Sequence, residues 1–155
     1  CSSDLPLYME LAQVQLDMKK SKEALANIDR VVELAEVESS TISPELHARA
    51  LQIKGDTLLA MGRKDRAVEV YQELLEKFES QKALGSIRYQ VGKIQFEEGR
   101  ISDAEKTWDV LASNPENKVW ARMAKEQLTH SKWQEDYKKY IERIPAMSGF
   151  KESQQ

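Results

Sequence analysis

The sequence predicts an all-α chain, a short α-solenoid of about three helical hairpins closed by a C-terminal capping helix or helix pair. Three observations carry this. One spacing recurs: Gly92, then Gly99-Arg100, then Ala104, then Trp108 has a near twin in Gly55, Gly62-Arg63, Ala67 and Tyr71, and a weaker copy in Ala12, Lys19-Lys20, Ala24 and Ile28. Apolar residues on either side of Gly62 (Leu51, Leu58, Leu59 and Met61 before it; Val68, Val70, Tyr71, Leu74 and Leu75 after it) recur at helical intervals. The composition is rich in Ala, Leu, Glu, Lys and Gln, with only four prolines in 155 residues and few β-branched runs.

Each window fits two helices joined by a tight turn. Gly62 and Gly99 stand where a helix must stop and reverse, and glycine supplies the left-handed backbone such a stop needs. Gly55 and Gly92 fall inside their helices, where glycine costs about 1 kcal/mol against alanine. A packing reason is therefore expected: the missing side chain lets the partner helix, with its small Ala67 or Ala104, come close. A large residue at any of these four sites would wedge the pair apart. Tyr71 and Trp108, one turn after the alanines, are expected to plug the space between successive pairs.

The spacing resembles the tetratricopeptide repeat, whose period is about 34 residues and whose pattern is W-x2-L-G-x2-Y, then A-x3-F, then P. The second repeat supplies Leu51-x2-Lys54-Gly55-x2-Leu58 and Ala67-x3-Tyr71. The third supplies Arg88-x2-Val91-Gly92-x2-Gln95 and Ala104-x3-Trp108, with Pro115 one residue early. The first is degenerate, Tyr8-x2-Leu11-Ala12-x2-Gln15 and Ala24-x3-Ile28. A fourth first helix, Trp120-x2-Met123-Ala124-x2-Gln127, is followed by Asp136 where alanine belongs. The resemblance implies one repeat domain over residues 1–144, with repeats at about 5–38, 45–79 and 82–115, a cap at 117–144, and a flexible tail over 145–155.

In chain order, helix one is expected from about Leu5 to Met18, with Asp4 as N-cap and Pro6 tolerated in the first turn. Lys19 to Lys22 make the turn, and helix two runs to about Glu38. The step from Ala24 to Ala67 is long, which places an extended helix or a long loop around Glu38 to Pro44. Ser43, Pro44 and Glu45 read as cap, first-turn proline and first-turn acid. A short insertion falls near Glu79-Ser80-Gln81, and Ser113-Asn114-Pro115 separates the sixth and seventh helices. From Val119 to Arg143 the pattern is helical, as two helices breaking near His130-Ser131 or as one long bent helix. Its stripe of Trp120, Met123, Leu128, Trp133, Tyr137, Tyr140, Ile141 and Ile144 suits a cap over the third repeat, stopped by Pro145. The tail carries Met147 and Phe150 as residues able to dock.

Cys1-Ser2-Ser3-Asp4 admits two readings: a truncation point, favoured because a helix starting at Leu5 leaves almost no tether, or the processed end of a bacterial lipoprotein. The second would place the chain in the cell envelope; a cytoplasmic location is otherwise expected. No run approaches the 18 or so apolar residues of a membrane-spanning helix, so direct membrane insertion is not expected. One cysteine excludes an internal disulfide framework.

Chemistry is sparse. Glycines come singly, without a phosphate-cradling loop. His47 and His130 lie far apart with no helix-spaced metal partner, and each reads as surface or packing. No nucleophile, base and orienting group fall into a recognisable arrangement, so no enzyme, cofactor or metal is expected. The net charge of −3 and the lack of a basic stripe with interleaved aromatics argue against nucleic acid. Charge is uneven: residues 1–40 carry eight acids and four bases, residues 118–155 eight bases and five acids. That asymmetry reads first as a solvated helical surface and, more sharply, as opposite ends that favour head-to-tail contact with another module.

In repeats of this kind the first helices line a groove that receives an extended or helical peptide. The resemblance carries that role to Met9, Gln13 and Leu16; to Arg49, Gln52, Ile53 and Asp56; to Tyr89, Gln90, Lys93 and Phe96; and to Ala121, Arg122 and Lys125. Tyr89 and Phe96 beside Lys93, Arg122 and Lys125 make a cationic, aromatic half-groove suited to a protein segment with acids and an apolar anchor. The two-carboxylate clamp of chaperone-binding relatives is absent, since its places hold Met9, Gln13, Ile53, Ser86 and Gln90. The expected function is a non-enzymatic scaffold or adaptor. The alternatives are an envelope-assembly lipoprotein and a self-associating structural module.

Overall fold

The computed structural model describes residues 4–37, 42–79 and 84–144. The lipoprotein-type end at Cys1, the loop after Val37, the insertion at Ser80-Gln81 and the tail with Pro145, Met147 and Phe150 lie outside those residues.

Seven α-helices follow in order: α1 Leu5–Asp17, α2 Ser21–Val37, α3 Pro44–Ala60, α4 Lys64–Phe78, α5 Gly85–Glu97, α6 Ile101–Asp109 and α7 Lys118–Glu142, with no strand among the described residues. Short 3-10 turns at Val110–Ser113 and Pro115–Asn117 carry the chain from α6 into α7. Helices α1 and α2, α3 and α4, and α5 and α6 pack as hairpins, and α2 packs on α3 and α4 on α5 to join them in a row. A helix striped on one face cannot bury it alone, so each pair is completed by the next. One core cluster runs from Leu5 through Ile28, Leu51 and Tyr71 to Ile94. A second gathers Tyr89, Ala104, Trp108, Leu111 and Ala124 under α7.

All three hairpin turns close the same way. Gly62 N–H donates to Leu59 O at 2.9 Å and Arg63 N–H to Leu58 O at 2.9 Å; Gly99 and Arg100 repeat the pair on Phe96 and Gln95. This double bond requires a left-handed residue, and Gly62 and Gly99 have φ of 73° and 78°. The first repeat makes the same turn with Lys19, whose φ is 61°. A side chain in that conformation costs about 1–2 kcal/mol, so Lys19→Gly is expected to raise stability by about 1 kcal/mol, part of the gain being lost to glycine's freer unfolded chain. Denaturant midpoints check it; an unchanged or lowered midpoint contradicts the strain.

The interior glycines have a different reason from the one expected. A Cβ on Gly55 would lie 2.3 Å from Tyr71 Cε1, and one on Gly92 2.2 Å from Trp108 Nε1. It is the aromatic ring of the same hairpin that lies on the bare glycine, so Tyr71 and Trp108 lock each pair internally. Three residues further along each helix the pairs meet again. Asn27 donates to Gln15 at 2.8 Å in the first hairpin and Thr107 to Gln95 at 2.7 Å in the third. At the matching place the second hairpin sets Leu58 and Val70, both buried.

Helix starts differ in quality. Ser43 caps α3 through its side chain, accepting from Leu46 N–H at 3.2 Å with Pro44 in the first turn. Asp4 does not cap α1: its backbone is already helical and its carboxylate accepts no capping bond. Asn114 caps the turn at Pro115 by accepting from Glu116 N–H. Gly85 opens α5 where a Cβ would meet Asn117 Oδ1 and Trp120 Cδ1, so its absence seats the cap against the third hairpin.

Helix α7 is one unbroken helix through His130-Ser131. Only its first half caps the third repeat, where Trp120, Ala121, Met123, Ala124 and Leu128 pack on the second cluster. The rest of the expected stripe is not buried: Trp133, Tyr137 and Tyr140 are exposed. The cause is length. At 25 residues α7 extends about 37 Å, whereas the 13-residue α5 and the nine-residue α6 offer about 20 Å and about 14 Å to pack against.

Candidate partner-binding groove

Helices α1, α3, α5 and α7 lead their units; α1 touches α3, and α5 touches α7. Of the residues assigned to the inner faces of these helices, several are committed to packing. Met9 and Ile53 belong to the core. Tyr89 is 8 % exposed. Its ring stacks on Trp108, centroids 5.7 Å apart, and tilts against Trp120 at 5.6 Å. It therefore shapes the floor and offers little surface to a ligand. Ala121 and Phe96 are half-buried, and Phe96 lies 5.8 Å from Trp108 at the edge of the same cluster.

The first half of the row is neutralised from within. Arg49 pairs with Glu10 of α1 at 2.8 Å. Gln13 donates to Asp17 along α1, and Gln52 and Leu16 are half-buried. Asp56 accepts a short hydrogen bond from the Tyr71 hydroxyl. Burial raises its pKa against the opposing pull of that bond, and burial first, then Asp56, pushes the Tyr71 hydroxyl far above its usual range. Asp56 is thus tied to the ring that lies on Gly55. A carboxylate whose folded pKa is raised is favoured protonated, so its contribution is present at low pH and lost as pH rises through that pKa. Asp56→Asn, which keeps an oxygen for Tyr71, is expected to match or exceed the wild-type melting temperature at pH 7. That advantage should disappear as pH falls through the carboxylate range; an advantage that grows on acidification contradicts the assignment.

The second half is open. Gln90 is half-buried, and Lys93 is exposed, its one ion-pair partner among the described residues being Glu97 at 4.0 Å. Arg122 and Lys125 are exposed, and among the described residues neither forms an ion pair. Both line two hollows on α7. One, of about 370 Å³, has Trp108, Ala121 and Leu128 in its wall. The other, of about 550 Å³, is bounded by Glu126, Thr129, His130 and Trp133. None of those four is assigned to the groove from sequence, where His130 reads as surface or packing and Trp133 as part of the cap stripe, although with Arg122 and Lys125 they fall at helical spacing on one face of α7.

One cluster outside the row has metal-ligand chemistry. Glu36 of α2, His47 of α3 and Glu73 of α4 bring their ligand atoms within 4.8 Å of one another. Lys77 already supplies the positive charge, with Nζ 2.6 Å from Glu73 and 4.0 Å from Glu36. His47 packs edge-on to Phe78 with Nε2 buried and unpartnered. Burial, then Lys77, holds its pKa below the usual histidine value while the two glutamates pull it up.

Hairpins in register and glycines under aromatic rings define a helical-hairpin repeat protein. Residues 5–37 and 48–76 match the tetratricopeptide repeat. These two hairpins are tetratricopeptide repeats, and α5–α6 is built to the same plan. Repeats of this family are protein-interaction modules. No curated protein matches the chain.

Proposed function

We propose that the chain is a non-enzymatic adaptor that grips a segment of another protein along the leading helices, with its affinity concentrated in the C-terminal half. The observation that carries this is the contrast along the row. Arg49 and Asp56 are satisfied within the chain, whereas Arg122 and Lys125 have no ion-pair partner among the described residues and stand beside apolar hollows. A segment bearing acidic residues and one apolar anchor fits that half: the acids answer Lys93, Arg122 and Lys125, and the anchor reaches Phe96 or Leu128. Packed helices hold these groups in place before binding, which lowers the ordering cost of association. Gln52 and Gln90 supply hydrogen bonds to the segment's backbone, and Arg49 contributes after exchanging Glu10 for a partner acid.

The test uses the wild-type chain and the Lys93→Glu, Arg122→Glu double variant as paired baits in extract of the source cell. Both side chains are exposed, so helix content should be unchanged. The double variant is expected to lose captured partners by at least tenfold. Equal capture by both baits would remove these cations from the site.

A further inference from the structure

Helix α1 is apolar on two faces. Leu5, Met9 and Ala12 face the core, while Leu7, Leu11, Val14 and Met18 form a second stripe, opposite the first, whose members are 43 to 71 % exposed. A helix apolar all round is normally enclosed, and nothing among the described residues covers this face. At the other end of the row Trp133, Tyr137 and Tyr140, 50 to 62 % exposed, run along the part of α7 that overshoots the third hairpin. Trp133 and Tyr137 stack with centroids 5.4 Å apart, giving a flat apolar rail.

The two stripes share one spacing. Leu7, Leu11 and Val14 are separated by four and then three residues, and so are Trp133, Tyr137 and Tyr140. This alternation is that of a two-helix seam, in which side chains of one helix enter gaps of the other. Charge completes the match. Glu10 and Asp17 flank the α1 stripe on the same angular side that Arg143 and Asp136 occupy beside the α7 stripe; Lys132 and Lys139 stand further round and leave that side net positive, and antiparallel helices bring such sides together.

We propose that a second copy of this chain is the occupant, with α1 of one molecule packed antiparallel on the distal half of α7 of the next. The contact is heterologous. Each molecule keeps a free head and a free tail, so copies add in a row rather than closing as a symmetric dimer. Glu10 exchanges Arg49, and Lys139 exchanges Glu135, for cross-molecule partners; exposed pairs of this kind are worth little where they stand. One short seam is a small interface, so association in the micromolar range is expected, weakening as salt rises. This surface meets the leading-helix groove at Trp133, which bounds the larger hollow, and at Glu10, the partner of Arg49; its other residues lie outside that groove, and the proposal stands whether or not the groove binds a partner.

Sedimentation velocity over a concentration series tests it with two variants of the full chain, a head variant (Leu11→Lys, Val14→Lys) and a tail variant (Trp133→Ser, Tyr137→Lys). Wild type should show species growing with concentration, and each variant alone should stay monomeric. Mixed one to one, the variants should form a dimer and stop there, because the mixture holds one intact head and one intact tail per pair. Circular dichroism confirms that the variants fold; Leu7→Lys and Tyr140→Lys, at the most exposed positions of each stripe, replace any that do not. Wild type that stays monomeric, a variant that self-associates like wild type, or a mixture that fails to pair would each overturn the proposal.

Discussion

Replacing Trp108 by alanine is expected to cost about 3–5 kcal/mol, the usual range for removing a buried large aromatic. The loss should be localised. Trp108 lies on Gly92, donates its indole N–H to Tyr89 O at 3.0 Å, stacks on Tyr89 and touches Phe96. It therefore joins α5 to α6 and supports the surface on which Trp120 and α7 rest. The first two hairpins share the other core cluster with Ile87, Val91 and Ile94 of α5, and Trp108 does not belong to it. Hydrogen exchange should accelerate strongly in α5, α6 and the first half of α7 and much less in α1 to α4. Uniform acceleration along the chain, or a loss below about 1 kcal/mol, contradicts a separately locked third hairpin; that floor lies well under the range expected for such a truncation.

Gly55→Ala should also destabilise, by about 1–3 kcal/mol through overpacking, although alanine improves helix propensity by about 1 kcal/mol. The added methyl would sit 2.3 Å from Tyr71 Cε1. The ring has little freedom to retreat: it is fully buried and its hydroxyl is held by Asp56. A cycle with Tyr71→Leu separates this clash from helix effects. If the ring is the obstacle, the alanine becomes harmless or stabilising once the ring is gone, with a coupling of about 1 kcal/mol or more. Costs that simply add would show that the glycine answers to something other than Tyr71.

The repeat plan was legible because its marks are local. Gly62 and Gly99 announce left-handed turns, Ser43-Pro44 announces a helix start, and Ala67 and Ala104 mark where helices approach. What faces the interior glycines was not legible, since a missing side chain does not say whether a backbone, a methyl or a ring fills its place. Lys19 was hard to see for the opposite reason. The first hairpin bears the strain of a left-handed lysine because its packing and the two turn hydrogen bonds over-determine the turn.

Helix α7 shows a third limit. Its apolar periodicity continues past Leu128 to Tyr140, and periodicity marks which residues share a face without saying that anything covers it. The limit lies in the lengths of α5 and α6, properties of other elements. The candidate site divides on similar grounds. Register along the leading helices names Arg49, Asp56, Tyr89 and Arg122 alike. Only the neighbours in space separate an aspartate held by Tyr71, and a tyrosine sandwiched between tryptophans, from an arginine without an ion-pair partner among the described residues.

The central claim is that the cationic C-terminal half of the row holds an acidic, apolar-anchored segment. An array of short peptides varying independently in acidic content, apolar anchor and order tests it most directly, read by fluorescence anisotropy with wild type and with Lys93→Glu, Arg122→Glu. The account predicts that peptides combining acids with a large apolar residue bind wild type best, that the double variant weakens them by tenfold or more, and that some basic counterparts gain. Binding insensitive to peptide charge, or unaffected by the double reversal, would contradict it.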